Sequence, residues 1–293
     1  MTGRRIPALV LGLPRRSPAA AIGLLIVLGF VVAALARPLV WPFGPGAADA
    51  SSELIGPSLR HPLGTDETGR DMLARVIDGA RYAIAVPLAA LVLGIALGTP
   101  FGLLAGLAGG LADRLLRRLA QAIGFIPPLL LALALVAAMG PSLRHVVLAL
   151  GVLEAMFFAR AMRDQVRAMH DSGFIEAAVA MGNRRRRLIL VHLLPNTLAG
   201  IASEMPRRAA WALATLAVMG FAGIGTAAGA SEWGAMVREG TNAMFTGQWW
   251  LALFPGLALL LLGFGLQLLA AGIADLTLRS PASRAGDLAG ATR

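Results

Sequence analysis

The chain of 293 residues contains no cysteine, which excludes disulfides, thiolate metal sites and cysteine nucleophiles. It contains no lysine either, since all 26 basic residues are arginine. A phosphate-binding P-loop needs the ammonium group of G-x-x-x-x-G-K-[ST], so this chain cannot supply one. Charge is scarce, at 14% of residues against roughly 25% in an ordinary soluble domain. The histidines at 61, 145, 170 and 192 never fall three or four apart, so no helical pair is available to hold a metal. No G-x-S-x-G nucleophile elbow occurs. Nothing in these residues points to an enzyme.

What is present is apolar: 57% of the chain is hydrophobic, in long uncharged runs. That combination defines an all-α integral membrane protein. The net charge of +10 is then a matter of topology, and without a basic patch on a soluble surface nucleic acid is not an expected partner. Six spans are predicted, over residues 18–36, Tyr82–Ala108, Leu119–Met139, Val146–Ala159, Leu198–Gly220 and Trp249–Ala274. The first is too long for a signal-peptide core and reads as a retained helix. Arginine dominates the tail 1–17, the loop after span 2, the loop 160–195 and the tail 275–293, whereas 41–80 and 223–248 are net acidic. Both termini and loop 160–195 are therefore expected in the cytoplasm. The chain divides into a tail (1–17), a first helix (18–36), an extracytoplasmic segment (37–81), a five-helix core (82–274) and a second tail (275–293).

Within span 2, Gly94, Gly98, Gly102, Gly106 and Gly110 recur every four residues. Such a ridge lets helix backbones approach closely in lipid, inside the subunit or between subunits. The exterior stretch HPLGTDETGRDMLARVIDGAR predicts a turn and a short amphipathic helix, capped by Thr68 with Asp71 in capping-box position. Trp249-Trp250 reads as an anchor at the outer membrane interface. Four ionisable residues fall inside predicted spans: Glu154, Glu204, Arg207 and Arg208. Glu204 can pair with Arg207 or Arg208 within one helix. Two readings stand: the arginines snorkel to the cytoplasmic interface, or Glu154 and the arginine pair face a translocation path.

Residues 176–196 read EAAVAMGNRRRRLILVHLLPN, a pattern of two short helices meeting at Gly182-Asn183 beneath the membrane. Positive-inside topology and anionic lipid account for the arginine run. They do not account for the placement of EAA, Gly and Leu-Pro. Glu176-Ala177-Ala178, Gly182 and Leu194-Pro195 resemble the EAA loop of permease subunits of ABC importers. His192-x-Leu-Pro-Asn is similar to the branch handling dipeptides, oligopeptides and nickel. His61 to Asp66, Gly69-Arg70-Asp71 and Gly79-Ala80-Arg81 resemble the N-terminal signature of its C-type permeases. Gly220 to Gly225, Glu232 to Met236 and Phe254-Pro255-Gly256 extend the likeness to roughly residues 15–280.

The resemblance implies a coupling helix, carried by Glu176, Ala177, Ala178, Gly182, Leu194 and Pro195, that docks on a cytoplasmic ATPase. It implies a homologous second permease, two ATP-binding cassette subunits and an extracytoplasmic binding protein, in a bacterial inner membrane. ATP and Mg belong on the partner subunits, with no cofactor on this chain. Cargo would be small peptides, nickel or metal chelates. The chain departs from the family at Thr226 to Gly229, where a proline pair is usual, at the end of span 6, and in the charges of span 5. An ion-coupled secondary transporter working without an ATPase is the alternative. It predicts internal repeats around a midplane acid, and only the solitary Glu154 meets that description.

Overall fold

The computed structural model describes residues 17–40, 44–171, 194–227 and 229–278. The helices are α1 (Pro18–Val40), α2 (Met72–Ala108), α3 (Gly110–Gly124), α4 (Pro128–Met139), α5 (Leu143–Asp171), α6 (Leu194–Phe221), α7 (Trp233–Met244) and α8 (Trp250–Leu278). Among the described residues the only extended pairing is one bridge between Thr65 and Asp71. Helices α1, α2, α5 and α8 are long and apolar enough to cross a membrane, and α3 with α4 makes a fifth candidate if the bent pair is one span. Helix α6 has the length, at 28 residues, but carries Glu204, Arg207 and Arg208 near its middle.

Three helix boundaries differ from the sequence expectation. The short amphipathic helix expected before span 2 and span 2 itself are one continuous helix of 37 residues, so no helix boundary falls at 81/82. Its N-cap is Asp71, whose carboxylate accepts the Ala74 N–H at 2.8 Å. Thr68 is not the cap, because its hydroxyl is engaged by Asp66 at 2.9 Å. The predicted span 119–139 is two helices bent by 91°. Pro127 and Pro128 cause the break: neither has an N–H to donate, and each drives the residue before it out of helical geometry. Span 4 does not stop at Ala159 but runs on to Asp171, because Arg163 and Arg167 of its last turns bind Asp113 on α3.

The glycine ridge of α2 faces α5. A Cβ at Gly98 would lie 2.2 Å from the Ala155 carbonyl oxygen, and one at Gly102 equally close to that of Ala159. Gly94 meets the Glu154 side chain and Gly106 that of Val166. Gly109 and Gly110, at φ +61° and +55°, end the ridge and turn the chain into α3, a backbone that only glycine adopts without strain. A second close seam joins α1 to α8, where a Cβ on Gly23 would sit 2.5 Å from the Gly265 carbonyl and one on Gly272 2.4 Å from Ala20. Apolar clusters fill the remaining space, one around Trp233, Met236 and Leu262 and another around Val136, Leu150 and Met219.

Candidate functional site

Chemistry-bearing side chains gather at three levels. At one end of the bundle, the loop before α2 folds around Asp66. Its carboxylate accepts the backbone N–H groups of Thr68 and Arg70, each at 2.9 Å, and the guanidinium groups of Arg70 and Arg75, each at 2.7 Å. Burial alone raises the Asp66 pKa. The Arg70 N–H, the Arg75 charge and Thr68 outweigh it, leaving the carboxyl below its ordinary range. Arg75 is 2% exposed and also reaches Glu239 on α7 at 2.9 Å and the Ala230 carbonyl at 3.3 Å. A buried cation needs this many partners, because an unpaired one costs several kcal/mol. Arg70 donates to the Gly229 carbonyl at 3.1 Å, and His61 Nδ1 lies 2.8 Å from Asp71.

Two tryptophans complete this cap. Trp233 donates to the Val76 carbonyl at 2.9 Å and Trp250 to the Thr65 carbonyl at 3.1 Å. Trp250 is therefore not an interfacial anchor: it lies under the turn at Gly64 and is 9% exposed. Only Trp249 keeps the predicted exposure, at 46%. Residues 61–79, the α6–α7 link, α7 and the start of α8 thus form one hydrogen-bonded unit, and an open cleft of about 200 Å³ lies beside Asp66, Arg75 and Glu239. Sequence periodicity missed Arg75, since the apolar face expected on Met72, Leu73, Val76 and Ile77 ignores it. The available signal was the tight grouping of Asp66, Arg70, Asp71 and Arg75 in an otherwise charge-poor chain.

Glu232 caps α7 with both oxygens, accepting the N–H groups of Gly234 at 2.9 Å and Ala235 at 2.8 Å. Burial pushes its pKa up to about 7 from 4.5, against the opposing pull of those two N–H groups. The folded protein therefore holds a proton that the unfolded chain releases. Stability falls as pH rises from the unfolded value towards 7, by about 3 kcal/mol in all at roughly 1.4 kcal/mol per pH unit. Thermal unfolding of the purified protein is expected at lower temperature at about pH 8 than at about pH 5. Glu232→Ser, a neutral residue that still caps a helix, should flatten that slope; an unchanged slope would assign it to other groups.

At the middle level stands a bidentate ion pair between helices. Arg208 Nε and a terminal nitrogen each donate to Glu154 at 2.8 Å. Glu154 is fully buried, and the guanidinium stacks on Phe157 and Trp211 at 4.2 and 4.6 Å from their ring centroids. Arg208 is 14 residues into α6, or about 21 Å from its start at 1.5 Å per residue. Its carboxylate partner is Glu154 on α5 rather than Glu204. Glu204 pairs with Arg207 along α6, on a more open face where their side chains are 33% and 58% exposed.

At the third level, Asp113 on α3, 2% exposed, takes Arg163 at 2.6 Å with Arg117 and Arg167 both at 3.1 Å. The predicted coupling residues Glu176, Ala177, Ala178 and Gly182 lie outside the described residues. Leu194 and Pro195 open α6, where the Thr197 hydroxyl donates to the Leu194 carbonyl at 3.1 Å.

Residues 98–276 match the family described as binding-protein-dependent transport system inner membrane component. The dipeptide transport system permease protein DppC of Alkalihalophilus pseudofirmus is 33% identical over 89% of this chain and 86% of its own length. The probable D,D-dipeptide transport system permease protein DdpC of Escherichia coli K12 is 34% identical, over 89% and 87%. The glutathione transport system permease protein GsiD of Shigella flexneri is 33% identical, over 89% and 86%. Among solved structures, a chain of the MetNI methionine ABC transporter in inward-facing form aligns with TM-score 0.50 and 21% identity, over 69% of this chain and 97% of that one. This last likeness is one of fold.

Proposed function

This chain belongs to the inner membrane components of binding-protein-dependent transport systems, and from that premise we propose that it is one of two permease subunits of an ATP-driven importer of small peptides. It is a non-catalytic membrane component. Dipeptide, D,D-dipeptide and glutathione, the cargoes in the names of its relatives, favour peptides over nickel or a metal chelate. The observation that carries the reading is the match over residues 98–276, because it takes in Glu176–Pro195 together with α5 and α6 on either side.

In this reading α1, α2, the α3–α4 pair, α5, α6 and α8 are six spans, with both termini in the cytoplasm. ATP and Mg bind the partner ATPases. Their closure moves the coupling segment around Glu176–Gly182, which lies between α5 and α6 in the sequence, and α3 follows through the Asp113–Arg163 pair. The helix bundle then alternates between two packings. Glu204 and Arg207, on the open face of α6, line the path beside the second permease, and Glu154 with Arg208 braces that helix from behind. An extracytoplasmic binding protein delivers the peptide at the outer cap.

Reconstitution in proteoliposomes with both ATPases and the binding protein is expected to give ATP-dependent dipeptide uptake. Uptake by this chain alone, driven by an ion gradient, would overturn the reading in favour of a secondary transporter. In the same preparation Gly182→Val should abolish uptake while ATP hydrolysis continues, and Arg185→Ala should leave uptake near its original level. Equal effects of the two substitutions would remove the coupling assignment.

A further inference from the structure

Around the α3–α5 contact, arginine outnumbers carboxylate. Asp113 serves Arg117, Arg163 and Arg167, and Asp164 serves Arg163 again. Arg160 has no carboxylate partner among the described residues. It stands, exposed, on an open cleft of about 240 Å³ between the two helices, with Arg117, Arg163 and Gln121 as neighbours on the lining. That cleft shares Arg160 and Ala120 with a second one of about 130 Å³, lined by Ile123, Pro128, Leu153 and Met156 and by the Arg208 guanidinium stacked on Phe157 and Trp211. A cationic mouth therefore continues into a slot walled mostly by apolar side chains, with Arg208, already paired to Glu154, among them.

Helix α3 itself has the layout of a helix lying in a membrane interface. Asp113, Leu116 and Ala120 are buried against the bundle. Leu111, Leu115 and Leu119 form a separate edge, 75%, 47% and 40% exposed, while Arg114, Arg117, Arg118 and Gln121 fall on a third side. The bend of 91° to α4 turns this helix across the direction of the next. An apolar edge beside an arginine-rich one is what an interfacial helix presents to acyl chains and headgroups.

We propose that the α3–α5 cleft binds the phosphate of an anionic phospholipid, held by Arg117, Arg160 and Arg163, with an acyl chain entering the apolar slot. Charge complementarity selects the headgroup, since four guanidinium groups, Arg117, Arg160, Arg163 and Arg167, face only two carboxylates there, Asp113 and Asp164. The adjoining slot selects a lipid over a soluble anion, which has nothing to place there. The site stands on this geometry and does not depend on which cargo the importer carries.

The test counts lipids bound to the purified importer complex by native mass spectrometry, in detergent supplemented with phosphatidylglycerol or phosphatidylcholine. Phosphatidylglycerol should be retained and phosphatidylcholine lost. Arg160→Gln should lower retention about fivefold, the effect of one cation near an anionic surface. Asp164→Asn, which removes negative charge from the cleft, should raise it, a change in the direction that a folding defect does not produce. Equal retention of the two lipids, or unchanged retention in both variants, overturns the proposal. Displacement of phosphatidylglycerol by inorganic phosphate would assign the cleft to a soluble anion, and crosslinking from position 117 to a partner subunit without bound lipid would assign it to protein; either result also overturns it.

Discussion

Glu154→Ala is expected to destabilise the folded bundle by about 3–5 kcal/mol, the cost of stripping one member from a buried ion pair. The carboxylate it removes is fully buried, and it takes two hydrogen bonds from Arg208. Arg208, its side chain only 16% exposed, would remain between Phe157 and Trp211 with its charge uncompensated. Unfolding of the purified complex in a graded denaturing detergent measures the loss. The double variant Glu154→Leu with Arg208→Met should recover most of it, because a well-packed apolar pair often replaces a buried ion pair at little cost. If Glu154→Ala abolishes peptide uptake and leaves stability untouched, the pair serves the path and the bracing role is wrong.

The second large effect is expected at the α2–α5 seam. Gly98→Ala should destabilise by about 1–3 kcal/mol, as overpacking a tight contact does, and Gly98→Val by more. The new Cβ would meet a backbone carbonyl at 2.2 Å, and a carbonyl within a helix cannot swing aside as a side chain can. Gly102→Ala should cost a similar amount, and the two together less than their sum, because one separation of the helices relieves both clashes. Gly29→Ala and Gly263→Ala, where nothing lies within 4 Å of the added atom, are the controls and should leave stability unchanged. Equal losses at all four positions would show that helix propensity, rather than close approach, governs the seam.

The limits of sequence reasoning follow the range of the interactions involved. Among the described residues hydropathy located every long apolar helix, because burial in lipid is read from neighbouring residues along one chain. Spacing by four identified the glycine ridge for the same reason, but left its opposite helix open. Helix ends moved wherever a side chain found a partner beyond the next turn. Asp71 became the cap of α2 once Thr68 was engaged by Asp66. Helix α5 gained its last turns once Arg163 and Arg167 met Asp113, some 50 residues earlier in the chain.

By itself, then, the sequence determined an all-helical membrane protein without a nucleotide-binding loop, a close-packing glycine face and the signatures of a transport permease. The first two are properties of composition or of spacing within a few turns; the third is a resemblance to the motifs of known permeases. Only the tertiary structure decided that Arg75 lies inside the cap built around Asp66, that Trp250 supports a turn, and that Glu154 neutralises Arg208 rather than standing alone. The physical reason is that a charge in a low-dielectric interior is tolerated only beside its counter-charge. Which counter-charge that is depends on helices that are distant in sequence and adjacent in space.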